Sequence, residues 1–463
     1  MSEISTIAAI STAPGKGAIA TIRVSGAASI SLVDALFHSP NGKKLVDQKP
    51  GTTHYGEIRK DSEVVDEVVV SIFRAPYSFT GEDTVEISCH GSIYIQQLIL
   101  QLLIEQGARP AAPGEFSQRA FLNGKMDLSQ AEGVADLIAS SSAAAHRLAI
   151  NQMRGGFSRE LRLLRDRLLD FASLIELELD FGEEDVEFAD RTQLKATATQ
   201  IAAIIRKLAD SFSAGNVIKN GIPVAIIGET NTGKSTLLNL LLKEDKAIVS
   251  DIHGTTRDVI EDAITIQGQL FRFIDTAGIR DTRDKIETLG IERSYRKLLQ
   301  ASIVLWVIDL TRDNVNLEVL ASDILDKSED KQLLLVLNKV DLLTEEEKAQ
   351  QLEYYNHLRK DMLLISAKKG ENIVKLEQWL INAANLPSVD NNDVIITNLR
   401  HYEALTHALA ALERAIAGID KGISNDFLAQ DARECINYLG EITGQITTDD
   451  ILGNIFANFC VGK

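Results

Sequence analysis

The sequence predicts a multidomain chain of mixed α/β and α+β class with a discontinuous α-helical part, and three observations predict it. Short β-rich runs broken by glycine and proline turns fill the first 120 or so residues. Leucines and alanines at three- and four-residue spacing, free of proline, run from Leu128 to Ser213 and resume at Asn398. Between those helical stretches, apolar runs each end in a short glycine-rich or polar motif, as strands delivering loops do.

The elements follow in order. Ile19–Val24, Val64–Phe73 and Thr84–Ile87 read as strands, with one helix over about Tyr94 to Gln106. Turns at Ala13-Pro-Gly15 and Ala112-Pro-Gly-Glu115 complete an α+β domain over residues 1–120. Helices are expected over Ser129 to Ala145, Phe157 to Leu179 and Arg191 to Ser213, with the acidic stretch Asp180–Glu187 between the last two. These make residues 121–220 the first part of a helical domain. Residues 221–384 form an α/β segment, and helices over Asn398–Ala417, Phe427–Leu439 and Asp449–Asn458 place the second helical part at 385–463. That order implies a helical domain interrupted by an inserted α/β domain.

Composition narrows the class. With 463 residues, 45% hydrophobic and 25% charged, the chain has room for several cores and the balance of a soluble protein. Cys89, Cys435 and Cys460 are far apart and form neither a zinc spacing nor a disulfide framework, which fits a reducing cytoplasm. The start carries no basic n-region and no apolar run is long enough to span a membrane. A net charge of −18 argues against generic coating of nucleic acid, though not against a local basic site. Arg154, Arg159, Arg162, Arg165 and Arg167 are the densest positive cluster, either a solvated helix face paired with Glu160 and Asp166 or an RNA contact.

The chemistry is concentrated in the inserted segment. Gly228-Glu-Thr-Asn-Thr-Gly-Lys-Ser235 follows the apolar run Pro223–Ile227. Glycines there let the backbone wrap phosphates, Lys234 reaches the outer ones, Ser235 suits magnesium, and the helix that opens beside it adds its positive end. Thr232, Gly233 and Thr236 complete that loop. Gly254-Thr-Thr-Arg-Asp258 would bring Thr256 to the metal. Asp275-Thr-Ala-Gly278 ends the run Leu270–Ile274, with Asp275 on the magnesium shell and Gly278 against the last phosphate, flanked by Thr276 and Ala277. Asn338-Lys-Val-Asp341 ends Leu333–Leu337, and an ionised Asp341 accepts the two N–H donors of guanine while Asn338 serves its acceptor edge. Ser366-Ala-Lys368 closes the base pocket with Lys339 nearby. Any one motif alone is an ordinary turn; all in register make a Ras-like α/β GTP-binding domain.

Hydrolysis needs a positioned water. The residue after the DTAG motif, a glutamine in many small GTPases, is the apolar Ile279. Glu287, beyond Arg280–Lys285, is the available carboxylate, and Asn231 in the phosphate loop could ligate a monovalent cation.

Beyond these motifs the chain resembles the MnmE (TrmE) family of tRNA-modification GTPases over essentially its full length. The likeness rests on Ala13–Gly17 with Ile22–Gly26, Ser78–Glu86 with Cys89-His-Gly91, Pro113–Leu128 and the terminal Cys460-Val-Gly-Lys463. It implies an N-terminal tetrahydrofolate-binding domain, a split helical domain, an inserted G domain and a homodimer formed through the N-terminal domains. It implies a FAD-dependent partner, MnmG (GidA), in a heterotetramer, and addition of a carboxymethylaminomethyl or aminomethyl group to C5 of the wobble uridine of certain tRNAs. A 5-formyl- or 5,10-methylene-tetrahydrofolate would supply the carbon. By the same resemblance Asn231, Ser250, Ile252 and Thr255 hold potassium, Glu287 orients the water, and Arg23, Glu86, Lys125 and Lys463 contact the folate.

Departures are few. Thr230 and Thr232 replace the family's usual proline and valine in the phosphate loop, and Val461 its isoleucine near the end. Cys460 stands where a prenylated cysteine would, but Gly462 and Lys463 suit that motif badly, leaving a catalytic thiol beside the folate or a structural residue. Cys89 and Cys435 are expected in cores. The competing expectation is a regulatory GTPase switch in ribosome assembly or signalling, which would need no folate pocket.

Overall fold

The computed structural model describes residues 5–180, 191–244, 262–274, 300–312, 317–357, 361–385, 394–447, 449–457 and 459–462. They fall into two compact units: residues 1–138, 152–202 and 407–463 form one, and residues 139–151 with 203–406 the other. Multidomain α/β and α+β architecture is what the sequence predicted.

The first unit begins with a seven-stranded sheet of order β3-β4-β5-β6-β2-β1-β7. Its strands are β1 Ile7–Ile10, β2 Ile19–Ser25, β3 Phe37–His38, β4 Thr52–Lys60, β5 Glu63–Phe73, β6 Thr84–His90 and β7 Arg109–Pro110. All pairs are antiparallel except β1 with β7. Strand alternation sends Ala20, Ile22, Val24, Val70, Ile72, Val85, Ile87 and Cys89 into a buried core. Helices α1 (Ser29–Leu36) and α2 (Ile93–Glu105) contribute Ile30, Val33, Ile99, Leu102 and Leu103 to it. The other parity carries Arg23 opposite Glu86. A single helix was expected in this region; the structure also has α1 and α3 (Glu115–Leu122). Both are eight residues long, too short for their apolar spacing to stand out in the sequence.

Helical periodicity is borne out beyond Leu128, with breaks the spacing did not show. The helix expected over Ser129–Ala145 is two, α4 (Leu128–Ala139) and α5 (Ala143–Met153). Ser142 divides them, because its Oγ accepts from Ala145 N at 3.1 Å and caps the second. In α6 (Gly156–Asp180), Leu161, Leu164, Leu168, Phe171 and Ile175 are buried at three- and four-residue spacing. The helix expected to end at Ser213 ends at Asp210 (α7, Arg191–Asp210), and α8 (Phe212–Asn220) begins after Ser211, whose Oγ bonds Leu208 O.

In the second unit, α8 leads to a six-stranded sheet of order β13-β12-β11-β8-β10-β9. Its strands are β8 Ile222–Ile227, β9 Asp262–Ile266, β10 Gln269–Phe273, β11 Ile303–Asp309, β12 Gln332–Asn338 and β13 Met362–Ile365. Only β9 runs antiparallel. Every residue of β11 is buried, as suits a central parallel strand covered on both faces. Helices α9 (Lys234–Glu244), α10 (Leu317–Asp326), α11 (Glu345–Tyr355) and α12 (Ile373–Ala384) connect the strands.

The chain then continues through α13 (Leu399–Lys421), α14 (Asn425–Thr443) and α15 (Asp449–Ala457). In the first unit α14 packs on α6, burying Leu428, Ala432, Cys435, Leu439 and Ile442. Burial pushes the Cys435 thiol up to about 12 and the Cys89 thiol up to about 11, so both are inert core residues, as expected.

Candidate functional site

In a parallel sheet, loops that bind ligands leave the carboxyl ends of the strands. Here the register sets Asp309, Asn338 and Ile365 side by side at the ends of β11, β12 and β13. The loop after β8 joins that edge. Gly228 has φ 142°, and a Cβ there would lie 2.2 Å from Val307 O. At Gly233, with φ 100°, a Cβ would lie 2.2 Å from Asn338 Nδ2. Both positions need glycine because strand and base motif stand against the backbone. Between them Asn231 takes φ 66°, a left-handed conformation that asparagine tolerates better than most residues. The turn is closed by Thr232, whose Oγ1 donates to Glu229 O at 3.0 Å. Lys234 Nζ lies inside the loop, donating to Gly228 O at 2.7 Å and Glu229 O at 2.5 Å. Ser235 and Thr236 follow in the first turn of α9.

Asn338, 2% exposed, ties the loop after β8 to the loop after β13. Its Nδ2 donates to Thr232 O at 2.8 Å and its Oδ1 accepts from Ala367 N at 3.0 Å. One Nδ2 hydrogen is left to reach the acceptor edge of a base. Asp341 Oδ1 accepts from Ser366 Oγ at 2.7 Å. That bond, with Lys369 and Lys368 nearby, holds the Asp341 carboxyl below the usual carboxylate range, so it is acceptor-only at neutral pH. Lys368 is exposed beside the pocket.

Two residues of this site were not singled out in the sequence. Asp309, 1% exposed, holds Lys339 Nζ at 2.5 Å and accepts from Thr311 N and Oγ1. Burial raises its pKa, but Lys339 and Thr311 outweigh that and hold the carboxyl down. Arg312 lies 3.5 Å from Asp309 and donates to Thr230 O at 3.3 Å. An acid ending the apolar run Ile303–Ile308 was the available signal.

Ser250, Ile252, Thr255, Thr256, Asp275, Thr276, Ala277, Gly278 and Glu287 lie outside the described residues, as does Lys463. Ile274 is described, and its N donates to Val224 O at 3.0 Å at the threshold of Asp275.

A second candidate site lies on the first sheet. Arg23 and Glu86, opposite each other in register, pair at 2.8 Å. The guanidinium lies over the rings of Phe79 and Phe116, 5.3 and 5.6 Å from their centroids. The end of the chain closes on this pair. Gly462 O accepts from Ser11 Oγ at 3.2 Å and from Arg23 Nη1 at 3.5 Å, and Gly114 N donates to Cys460 O at 3.3 Å. Cys460 itself is exposed. Lys125 Nζ donates to Pro76 O at 2.9 Å. Ser11, Phe79, Phe116 and Gly462 were not anticipated as lining residues, since nothing in their spacing marks them.

Comparison with known proteins decides the family. A model described as "GTP-binding protein TrmE N-terminus" matches residues 6–125, and one described as "MnmE helical domain" matches residues 128–460. The tRNA modification GTPase MnmE of Bacteroides fragilis (strain YCH46) is 60% identical over 462 residues, 99% of each chain. The chain belongs to the MnmE family. MnmE of Bacteroides thetaiotaomicron is 59% identical over 99% of each chain, and that of Flavobacterium johnsoniae 52%. An Era variant of Aquifex aeolicus bound to GDP·AlF4− is 28% identical over 41% of this chain and 65% of that one, with a TM-score of 0.27.

Proposed function

We propose that this MnmE-family chain, a GTPase of tRNA modification, hydrolyses GTP in a potassium-dependent cycle that serves modification of the wobble uridine at C5. The observation that carries the reading is the strand-edge cluster. Asn338 bridges phosphate loop and base pocket while Asp341, kept ionised, awaits the N–H donors of guanine. Adenine offers no such pair of donors to a carboxylate.

Lys234 would leave the loop carbonyls for the outer phosphates when nucleotide enters. Ser235 and Thr256 would hold magnesium, with Asp275 in its shell. Asn231, Ser250, Ile252 and Thr255 would hold potassium. These cations supply positive charge to the oxygens on which charge develops in phosphoryl transfer, and an arginine in that role is worth about 10³–10⁵ in rate. Glu287 would orient the water in place of the absent glutamine.

The Arg23–Glu86 pair, its aromatic floor and the chain end are the candidate folate pocket. Arg23 suits folate carboxylates and Glu86 a pterin N–H edge, with Lys125 and Lys463 at the rim and Cys460 beside it. A homodimer through the N-terminal domains, a FAD-dependent MnmG partner, tRNA as substrate and a cytoplasmic setting complete the reading. No described helix is long and apolar enough to cross a membrane.

The deciding experiment is GTP turnover in potassium against sodium chloride at matched ionic strength. Stimulation by potassium alone is expected; equal rates would remove the Asn231 cation site and favour a plain regulatory switch. Glu287→Ala should abolish turnover and spare GTP binding, and retained turnover would end its water-orienting role.

A further inference from the structure

The arginine cluster that opens α6 has no place in either site above. Arg154 precedes the helix, and Arg159, Arg162 and Arg167 are exposed along its first half. Arg159, Arg162 and Arg165 stand at i, i+3 and i+6, one ridge of the helix surface. From Arg159 to Arg165 the axis rises about 9 Å, long enough to meet more than one phosphate of one strand.

The solvated ion-paired face allowed by the sequence is not what the structure contains. Glu160, Asp166 and Asp170 are exposed on the same helix. Yet Arg159 donates to Arg154 O, and Arg162 Nε to Ser158 O, so backbone carbonyls rather than carboxylates are their partners. Arg165 is half-buried, with an Nε that is shielded from solvent and has no hydrogen-bond partner. Leaving part of a guanidinium desolvated without an acceptor is costly, so Arg165 carries a charge that its surroundings in the fold do not offset. Other arginines of this unit do find carboxylates: Arg414 pairs with Asp431 and Glu434, and Arg433 with Glu176. In a chain of net charge −18, five arginines in fourteen residues with no carboxylate partner among the described residues are a local exception.

We propose that the ridge of α6 carrying Arg159, Arg162 and Arg165, with Arg154 just before it, is a docking surface for the phosphate backbone of tRNA. The inference rests on the tRNA reading above and adds where the chain grips its substrate. Planar guanidinium groups match phosphate oxygens two at a time, and an RNA duplex is held through its backbone rather than its base edges. Glu160, Asp166 and Asp170 would limit nonspecific attachment by opposing any polyanion that does not seat the arginine row.

The test uses the full chain and an unmodified tRNA transcript as probe, with affinity measured across a salt series. Arg159→Ala with Arg162→Ala is expected to lower affinity about tenfold or more and to flatten the slope of log K against log salt by about 1.4–1.8. Arg165→Gln should weaken binding in the same direction. GTP turnover without tRNA should be unchanged, which shows that the variants are folded. Arg433→Ala, a control that removes one arginine already paired to Glu176, should bind as the unmutated chain does.

Unchanged affinity and slope in the double variant would overturn the surface while leaving the tRNA reading intact. An equal loss in Arg433→Ala would reduce the effect to net charge and overturn it too. Lost binding to the flavoprotein partner with tRNA affinity retained would assign the face to a protein interface instead. If the unmutated chain, alone and with that partner, bound no tRNA, the surface and the tRNA reading would fall together.

Discussion

At the scale of single residues, the nucleotide site is an arrangement of donors and acceptors already engaged with each other. Asn338 spends both ends of its amide on Thr232 and Ala367, so its first task is to hold two loops together. Removing it would leave buried backbone groups of Thr232 and Ala367 unpaired. Asp341 is the cleaner probe, because it is itself half-buried and its side chain accepts from one side-chain hydroxyl, Ser366 Oγ, rather than from two backbone loops. Asp341→Asn should weaken GTP binding by about ten- to a hundredfold, the range for a hydrogen bond to a charged group, and erase preference for GTP over XTP. An unchanged GTP affinity would contradict the base-reading role. Asp309 acts one contact further out, fixing Lys339 and, through Arg312, the Thr230 carbonyl. Asp309→Asn should therefore raise the KM for GTP several-fold with little change in kcat. A fall in kcat at constant KM would mean that Asp309 serves the chemical step instead.

At the scale of elements, the docked chain end argues the same logic from backbone geometry. Gly462 takes φ 91°, and a Cβ there would sit 2.4 Å from Ile10 O. Gly114, at φ 67°, would press a Cβ to 2.7 Å from Phe456 O. Gly462→Ala should lift the end off Ser11 and Arg23, lowering affinity for a folate while leaving GTP turnover as it was. Folate binding equal to that of the unmutated chain would separate the tail from the pocket. The resemblance had placed Lys463 and Cys460 near Arg23, but the contacts themselves were not legible, since Gly462 and Ser11 are 451 positions apart and only the fold brings them together. What the sequence did reveal were features with a local signature: β8, β12 and β13 as apolar runs, the phosphate loop, and the long helix α6 with its leucine period. Short elements such as α1 and α3, and the break at Ser142, depend on a single cap or on tertiary contact, and periodicity over a long window hides them. Asp309 shows the same limit inside the site, because its importance lies in a lysine thirty residues away.

At the scale of the whole molecule, each unit contains a buried carboxylate held ionised by its neighbours, and that makes acid a common weakness. In the first unit Glu115 is 8% exposed and accepts from Arg109, Arg119 and Ala112 N. Burial raises its pKa, but those donors more than offset it, and the net shift is downward. Arg119 also bonds Glu82 and Ser5 O, so the carboxylate anchors a network linking α3 to the start of β1. In the second unit Asp309 is depressed likewise by Lys339 and Thr311 after burial is counted. A carboxylate whose folded pKa lies below its unfolded value binds fewer protons folded than unfolded, so stability rises with pH through that interval. The contribution is complete above the unfolded values, about 4.3 for Glu and 3.9 for Asp, and is lost as pH falls through the folded ones. Thermal melts between pH 7 and pH 3 should show Tm nearly level at first and then falling steeply below about pH 4.5. Glu115→Gln keeps the shape and part of the hydrogen bonding but cannot titrate. That variant should start with a lower Tm at pH 7, because Arg109 and Arg119 lose a charged partner in a desolvated place. Its Tm should then fall less on acidification than that of the unmutated chain. If both proteins lost the same number of degrees between pH 5 and pH 3, the acid response would have to come from other carboxylates, and Glu115 would be no part of it.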